Sequence, residues 1–467
     1  MKSIFFSAAA FLTLLSFFAA AQAPAAANPN QPSEIVVTPY KTTMIADGKD
    51  KALIKISVIN KQGREITDAT NLISFKISGD AKIISITNGS DAAHDPGVTL
   101  RENLHNGQLR IILQTARKRG TVIFEATAEG LLKGSTEIHT VQPGKPHPVT
   151  TGSPIAGTAK ITDKIIGADI SFLPQLEDRG MKFYNKDGQQ EDVLKILKDH
   201  GFNYIRLRIF DHPEIEKGGY SPKKGFCDLA HTMQMAKRIK AAGMKFLLDF
   251  HYSDTWADPQ RQNIPVAWEN LPFSTLKDSV YTYTKSVMQA LKDQGTVPEM
   301  VQIGNEINHG ILWPVGEINN LDSLSAFIYE GVKAAKEVNP NVIVMLHIAL
   351  GGQNEESRFF IDNMLKRKVP FDVIGLSYYP KWHGTLDDLK NNMTDLAKRY
   401  KKYVMVAEYS QLKQEVNDIA FTVPGNKALG TFIWEPLSSW ESFFDRTGKM
   451  NATLEVYPLL AKKYNVR

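Results

Sequence analysis

Hydrophobic and polar positions divide the chain into two regions of different periodicity. Between residues 34 and 142, short β-branched runs such as "EIVVTPY" and "ALIKISVIN" alternate partially and are separated by turn-rich segments such as "KQGREI". From residue 161 onward, apolar runs are followed by helical patterns such as "EDVLKILKDHG" (191–201), which ends in a glycine. The first pattern predicts an immunoglobulin-like β-sandwich, and the second predicts an α/β domain.

The α/β region contains eight apolar strand candidates, and a helical pattern lies between most of them. Eight strands with intervening helices predict a (β/α)8 TIM barrel. Active sites of such barrels lie at the C-terminal ends of the strands, so polar residues at these ends are candidate site residues. The strand candidates are 164–171, 204–210, 245–252, 300–306, 342–349, 372–379, 403–410 and 430–436.

The N-terminal segment "MKSIFFSAAAFLTLLSFFAAAQA" has an early lysine, an apolar stretch and then small residues. This order predicts a cleaved signal peptide and export to the periplasm or the outside of a bacterial cell. A membrane anchor is the alternative, but the apolar stretch is shorter than the ~20 residues that a spanning helix needs. The predicted division is a signal peptide (1–21), a linker (22–33), the β-sandwich (34–142), a second linker (143–160) and the barrel (161–467).

Composition excludes several classes of protein. The formal net charge is +5, and basic and acidic residues are interspersed, which indicates a solvated surface rather than a nucleic-acid interface. Cys227 is the only cysteine, so the chain has no internal disulfide. No glycine-rich nucleotide loop follows a strand candidate. We expect no cofactor, no bound metal, no transmembrane helix after signal removal, and a monomer.

The stretch "VQIGNEINHG" (301–310) places Glu306 at the end of an apolar strand, and Glu408 ends the seventh strand. A carboxylate there is costly unless it is paired or used. Two carboxylates facing each other across the barrel mouth suit glycoside hydrolysis, where one donates a proton and the other attacks the anomeric carbon. The alternative is that each glutamate only pairs with an arginine.

Aromatic and hydrogen-bonding residues accompany this pair at the other strand ends. Sugar rings stack on flat apolar faces, and their hydroxyls need fixed donors and acceptors. The candidate substrate-binding residues are Arg208, His251, Asp254, Trp256, Asn305, Trp313, His347, Tyr378 and Trp434.

Four motifs of the barrel region resemble those of glycoside hydrolase family 53, the endo-β-1,4-galactanases: "DFHYSDTWADPQRQ", "IGNEI…GILWPVGE", "IGLSYYP" and "IWEP". The resemblance runs from about residue 164 to 460. It implies a retaining mechanism with Glu306 as acid/base and Glu408 as nucleophile, and an Asn305 that binds the sugar 2-hydroxyl. The loop 411–429 lacks the length and acidic cluster of calcium-binding relatives, so we expect no metal.

The resemblance also implies that an arginine of strand two and a tyrosine of strand six flank the nucleophile. We predict Arg208 and Tyr378 for these roles, whereas Arg206 and Tyr379 are one register choice away.

The N-terminal region resembles the bacterial immunoglobulin-like modules of exported glycan-degrading enzymes, and it could be a spacer or a glycan-binding module. For the whole chain, the resemblance implies hydrolysis of internal β-1,4-galactosidic bonds in galactan or type I arabinogalactan. Two alternatives stay open: a glycosidase acting on another β-linked polysaccharide, and a non-catalytic glycan-binding barrel.

Overall fold

A computed structural model of the protein describes residues 31–88, 100–141, 161–214, 225–439 and 441–466. The predicted signal peptide, the second linker and nearly all of the first lie outside these residues. Within the described ranges, no helix combines the length and the apolar character that crossing a membrane requires.

The N-terminal region folds into two packed β-sheets. Four strands form one sheet in the order β1-β3-β7-β5, and five form the other in the order β2-β9-β8-β4-β6. Alternating side chains such as Ile54, Ile56, Leu109 and Ile111 are fully buried between the sheets, which confirms the predicted immunoglobulin-like sandwich. The strands are β1 (Glu34–Pro39), β2 (Thr43–Ile45), β3 (Lys51–Ile59), β4 (Leu72–Ser78), β5 (Ala81–Thr87), β6 (Arg101–Asn103), β7 (Gln108–Thr115), β8 (Gly120–Thr127) and β9 (Gly134–Val141).

Strand β9 was missing from the strands that the hydrophobic pattern predicts. Its sequence "GSTEIHTV" is largely polar, and Ser135 and Glu137 on its outer face are exposed. Pairing with β8 over seven residues holds it in the sheet. The strand therefore depends on backbone pairing and on one buried face rather than on its own hydrophobicity.

The second region is a closed barrel of eight parallel strands in chain order, which confirms the predicted TIM barrel. Its strands are buried on both faces, so they are mainly apolar, and their buried polar residues lie toward the C-terminal ends. The strands are β10 (Ile165–Asp169), β11 (Tyr204–Ile209), β12 (Lys245–Phe250), β13 (Met300–Ile303), the small hairpin β14 (Gly310–Ile311) and β15 (Gly316–Glu317), β16 (Ile343–Ile348), β17 (Val373–Tyr378), β18 (Tyr403–Tyr409) and β19 (Ala428–Trp434).

Helices surround the barrel and pack their apolar faces on its outer surface. The predicted helical pattern at 191–201 contains α2, and α3 follows β11 in the chain. Asp192 and Asp228 precede these helices, and each side chain accepts a hydrogen bond from a first-turn amide, which stabilises the helix start. The helices are α1 (Leu173–Asp178), α2 (Val193–Asp199), α3 (Leu229–Ala241), α4 (Phe273–Asp293), α5 (Leu321–Val338), α6 (Asn354–Lys366), α7 (Pro380–His383), α8 (Leu386–Tyr400), α9 (Lys413–Phe421) and α10 (Val456–Tyr464).

The interior of the barrel consists of two layers with opposite chemistry. Side chains two residues apart on a strand point to the same side, so Tyr204 is followed inward by Arg206, and Leu247 by Asp249. We call the lower set the apolar layer: Ile165, Tyr204, Leu247, Met300, Met345, Val373, Met405 and Phe432. We call the upper set the polar layer: Asp169, Arg206, Asp249, Gln302, His347 and Glu408.

The sandwich is fastened to the barrel by buried polar contacts. The Thr42 hydroxyl donates to Glu356 at 2.7 Å, and the Thr42 amide hydrogen-bonds the same carboxylate at 2.5 Å. His309 lies 2.6 Å from that hydroxyl through Nε2, and its Nδ1 lies 2.8 Å from the Pro259 carbonyl. His309 is therefore a junction residue that ties the sandwich to a loop of the barrel mouth.

Ion pairs between the domains add to this junction, among them one between Arg64 and Glu415 of α9. Lys55 of β3 lies 2.7 Å from Asp388 of α8, and its side chain is only 5% exposed. Lys381 of α7 lies 2.7 Å from Glu34 of β1. Lys55 and Asp388 thus form a largely buried ion pair between the two domains.

Candidate active site

The two glutamates reach the barrel mouth by different local geometry. Glu306 follows β13 in a left-handed backbone conformation, with φ of 50°, which is strained for a residue with a side chain. Glu408 lies in β18, where the pairing shifts from Leu376–Val406 to Ser377–Glu408. This irregularity inserts one extra residue, which places Glu408 opposite Ser377 and re-aims its side chain.

Glu306, Glu408 and His347 converge at the centre of the mouth. One carboxylate oxygen of each glutamate and one ring nitrogen of His347 lie within 4.8 Å of one another. Glu306 accepts a 2.6 Å hydrogen bond from the Ser377 hydroxyl. Glu408 accepts hydrogen bonds from Arg206 at 2.9 Å and from the Tyr379 hydroxyl at 2.8 Å.

The surroundings of the two carboxyl groups favour different protonation states. Burial and the negative charge of Glu408 raise the pKa of Glu306 well above its usual value. Burial also raises the pKa of Glu408, but the Arg206 charge and the Tyr379 hydroxyl oppose this rise. Glu306 is therefore the group that keeps a proton, and Glu408 is the group that ionises.

Arg206 is the central cation of the polar layer. One guanidinium nitrogen donates to Asp169 at 3.1 Å and to Glu408, and the other donates to Asp249 and Asn305, each at 2.8 Å. The side chain is 2% exposed. A buried arginine with this many acceptors is locked in one rotamer, so it fixes the position of Glu408.

Asn305 and His347 complete the polar layer around Glu306. The Asn305 side-chain oxygen lies 2.9 Å from His347 Nδ1, and its nitrogen donates to the Ala257 carbonyl at 2.8 Å. His347 Nε2 lies 2.8 Å from the Ser377 hydroxyl. Burial lowers the pKa of His347 well below its usual value, so the imidazole is neutral.

The predicted partners of Glu408 are wrong by one position each. Arg208 lies nearer the mouth than Arg206 and pairs with Asp169 at 3.1 Å and with Glu435 at 2.6 Å. Its guanidinium stacks on the Phe172 and Trp256 rings, at 4.5 and 4.1 Å from their centres. Both arginines point inward, and the sequence does not give the depth of either one.

Tyr378 is also wrong as a flanking residue. It points away from the barrel interior into the core beneath the helices, and its hydroxyl donates to the Gly384 carbonyl at 3.1 Å. Because Ser377 points inward, its neighbour in the strand must point outward. Tyr379 follows the strand end and supplies the hydroxyl that reaches Glu408.

The remaining candidates fall into two groups. Some line the cleft above Glu306 and Glu408, and the others hold the lining residues in place. Asn305, Trp256 and Trp434 line it, with the two indole rings 6.3 Å apart. His251 supports it: Nε2 lies 3.1 Å from Asp249, and Nδ1 accepts from the Ala257 amide at 3.0 Å.

Asp254 and Trp313 are not brought to the reacting centre. Asp254 accepts from the amides of His212 at 3.0 Å and Val266 at 2.8 Å, which ties two loops together. The Trp313 indole donates to the His309 carbonyl at 3.0 Å. Neither side chain is among the described residues that line the cleft.

Ser377 was not identified from the sequence. It lies within "IGLSYYP", where a small hydroxyl residue in an apolar strand is the signal that could have indicated a polar contact. Its 2.6 Å hydrogen bond to Glu306 makes it the link between that carboxyl group and His347.

A metal ion would have one candidate position among the described residues, formed by Glu306, His347 and Glu408. However, Arg206 and Tyr379 already donate to Glu408, and hydrogen bonds with Gln302 and Ser377 engage both ring nitrogens of His347. A permanently bound cation would have to displace these donors, so the donor set fits a metal poorly. The expectation of a metal-free enzyme remains a prediction.

The cleft above the carboxyl pair has a volume of about 770 Å³. Its floor and most of its walls come from the barrel, including Trp256, Tyr379 and Trp434. Strands β8 and β9 of the sandwich also contribute to its lining, through side chains such as Ile123 and Glu137. The two domains therefore enclose the cleft together.

A buried carboxyl pair at the C-terminal end of a TIM barrel, with indole rings around it, is the arrangement of a glycoside hydrolase active site. Residues 165–421 match the family model described as glycosyl hydrolase family 53. The chain belongs to this family. Residues 35–137 match the model described as glycoside hydrolase family 2 C-terminal domain 5.

Individual relatives agree with the family. An uncharacterised protein of Niallia circulans is 44% identical over 252 residues, covering 52% of this chain and 66% of that protein. An endo-beta-1,4-galactanase of Bacillus subtilis is 41% identical over 306 residues, covering 59% of this chain and 70% of that protein. The chain thus spans about two thirds of the length of these two relatives.

A solved structure shows that the likeness extends to the fold. The GH53 catalytic domain of Ignisphaera aggregans superposes with a TM-score of 0.61 at 34% identity, covering 68% of this chain and 99% of that chain. The similarity is to a catalytic domain, which corresponds to the barrel.

Proposed function

We propose that the protein is a retaining endo-β-1,4-galactanase that hydrolyses internal β-1,4-galactosidic bonds in galactan and type I arabinogalactan. The observation that carries this proposal is the carboxyl pair, with Glu306 and Glu408 oxygens within 4.8 Å. Retaining glycosidases hold their carboxyl groups about 5–5.5 Å apart, whereas inverting enzymes need room for a water molecule between them. The name of the Bacillus subtilis relative supports the choice of substrate.

In the first step, Glu408 attacks the anomeric carbon while the glycosidic bond breaks. A covalent bond forms between a Glu408 oxygen and that carbon, and Glu306 transfers its proton to the leaving oxygen. Because Ser377 donates to Oε1 of Glu306, Oε2 is the oxygen that carries the transferable proton. Arg206 and Tyr379 hold Glu408 in the attacking position.

In the second step, the deprotonated Glu306 removes a proton from water, and the water oxygen replaces Glu408 on the anomeric carbon. The neutral His347 and Ser377 keep Glu306 oriented through both steps. Asn305 lies beside the reacting centre and lines the cleft, where it can contact the sugar 2-hydroxyl.

The test is an incubation of the purified mature chain with β-1,4-galactan and, separately, with β-1,3-galactan, mannan and xylan. Reducing ends and product sizes are followed. Short oligomers from β-1,4-galactan alone support the proposed linkage and endo action. Cleavage of mannan or xylan instead would indicate another substrate. Binding of β-1,4-galactan without new reducing ends would indicate a non-catalytic barrel.

We also propose export through a cleaved signal peptide, and a monomeric mature protein. The order of charged, apolar and small residues in "MKSIFFSAAAFLTLLSFFAAAQA" supports export. N-terminal sequencing of the protein from cell fractions tests cleavage after Ala21, and light scattering tests the oligomeric state.

A further inference from the structure

The outer face of the sandwich is turned toward the catalytic cleft. Strand register places Ile123 opposite Glu137 and Glu125 opposite Ser135, so these four side chains share one face of the β8–β9 pair. All four line the same cleft as Glu306 and Glu408. The face is partly apolar, since Ile123 is 38% exposed, and its polar groups suit sugar hydroxyls.

This position of the sandwich is fixed by its contacts with the barrel. Thr42 is bonded to Glu356 and His309, and Lys55 is buried against Asp388. Thr42 directly precedes β2 of the sheet that contains β8 and β9, and Lys55 lies in β3 of the other sheet, so both sheets are held against the barrel. The sandwich therefore forms a fixed part of the lining of the cleft.

The cleft continues beyond the carboxyl pair across the indole of Trp382. Trp382 belongs to α7 and is 48% exposed. Its ring packs edge-on against Tyr379 at 5.6 Å, and the Tyr379 hydroxyl is bonded to Glu408. Both rings line the catalytic cleft, and both also line a second cavity of about 620 Å³ between the two domains.

The second cavity has the chemistry of a sugar-binding groove. Leu132 of the sandwich lines it and is 66% exposed. The amide side chains of Gln62 and Gln411 also line it. An exposed indole and an exposed leucine between amide groups combine an apolar platform with donors and acceptors for hydroxyls. A polysaccharide leaving the carboxyl pair would meet this surface next.

We propose that the groove between the two domains extends the active site and binds further galactosyl units of a long substrate. In this groove Trp382 supplies the stacking platform, and in the adjoining catalytic cleft the β8–β9 face, through Glu137, supplies hydrogen-bonding groups. The N-terminal domain is then a specificity-determining part of the enzyme rather than a spacer. This inference rests on the proposed galactanase function, because the occupant is the part of the galactan chain that extends past the carboxyl pair.

The test compares a polymer with a short substrate. We expect Trp382→Ala to lower kcat/KM on β-1,4-galactan about tenfold more than on the shortest oligosaccharide that the enzyme cleaves, since losing one stacking contact is worth ~1.4 kcal/mol. Glu137→Ala should also lower kcat/KM on the polymer more than on the oligosaccharide, by about threefold for the loss of one hydrogen bond. Product sizes should shift toward longer oligomers.

Matched variants control for nonspecific effects. Phe359→Ala removes an aromatic ring of similar exposure, 43%, on α6 away from both cavities. Asp68→Ala removes an exposed acid of the sandwich that lines neither cavity. Both should keep the wild-type ratio between polymer and oligosaccharide.

The outcomes separate this inference from the function on which it rests. A wild type that cleaves galactan, with Trp382→Ala and Glu137→Ala at the wild-type ratio, would overturn the inference alone. Equal losses on polymer and oligosaccharide would also overturn it, because Trp382 would then act only through Tyr379. A wild type that leaves galactan intact would overturn the proposed function and the inference together.

Discussion

The two layers inside the barrel are built from the same strands but serve different ends. In the apolar layer, Leu247 and Met300 fill the interior and are fully buried. Two residues further on, Asp249 and Gln302 occupy equivalent inward positions in the polar layer. The same eight strands surround both layers, so the difference in chemistry comes from the side chains and from the cleft that the upper layer borders through Glu408. The lower layer stabilises the barrel, and the upper layer uses that stability to hold buried charges in place.

The comparison predicts its largest effect for the nucleophile. Glu408→Gln should lower kcat by on the order of 10⁴-fold or more, because an amide cannot form the glycosyl-enzyme bond. The melting temperature should stay close to that of the wild type, since Gln keeps the shape of the side chain. Galactan hydrolysis and thermal unfolding are measured on the same preparation. A variant that retains a tenth of the activity would remove Glu408 from the mechanism.

A substitution in the apolar layer should lower stability while leaving kcat nearly unchanged. Leu247→Ala should lower the free energy of unfolding by about 2–5 kcal/mol, because it leaves a cavity in the closed interior. The kcat of the folded fraction should change little, since Leu247 lies below the polar layer. Denaturant unfolding and active-site titration check this pair of outcomes. A large loss of kcat in fully folded Leu247→Ala would mean that the layers are not separate.

The two neighbouring arginines sharpen the comparison within one strand. Arg206→Lys should lower kcat by roughly 10–100-fold, because a lysine cannot replace the forked donors to Glu408, Asp249 and Asn305. Arg208→Lys should leave kcat within about threefold and act mainly on KM, through the Trp256 ring on which Arg208 stacks. Steady-state kinetics on galactan separates the two. Equal effects on kcat would contradict the assignment of Arg206 to Glu408.

The smallest effect concerns the stability of the polar layer itself. The pKa of Glu306 is raised above its unfolded value, so the folded chain holds a proton that the unfolded chain releases. Its contribution to stability is complete below the unfolded pKa of ~4.3 and is lost as pH rises through the folded pKa. Because glutamine does not ionise, Glu306→Gln removes this pH-dependent loss of stability.

We therefore expect Glu306→Gln to have a slightly higher Tm than the wild type at pH 7, with the difference disappearing near pH 4. Thermal unfolding at both pH values measures it. The Glu317→Gln variant, whose partly exposed side chain lies on the hairpin strand β15, is measured alongside it as the matched Glu-to-Gln control. A Glu306→Gln protein that is less stable than the wild type at pH 7 would contradict the raised pKa.

Sequence alone predicted the eight strands, the sandwich and the two glutamates, because apolar runs and their polar ends are local features. It does not predict how deep in the barrel a side chain lies. The sequence therefore favours Arg208 as the partner of Glu408, whereas Arg206 makes that hydrogen bond. Tyr378 was chosen for a similar reason, since alternation along β17 turns it outward and only the residue after the strand reaches Glu408. These outcomes depend on strand stagger and on the irregular pairing at Glu408, which have no local signal.

The junction between the domains was beyond the reach of sequence for another reason. No role could be assigned to His309, because its partner Thr42 lies 267 positions away in the chain. The outer face of β9 is polar and therefore resembles an ordinary solvent-facing strand. Only the folded arrangement places that face opposite the carboxyl pair.

The contact between Thr42 and Glu356 joins residues 314 positions apart, and this separation has a consequence for biosynthesis. The sandwich leaves the ribosome long before Glu356 and Asp388 are made, and domains generally fold as units in the order of synthesis. Thr42 and Lys55 therefore have no partner in the barrel until Glu356 and Asp388 have been synthesised. Docking of the first domain through these contacts follows the synthesis of most of the barrel.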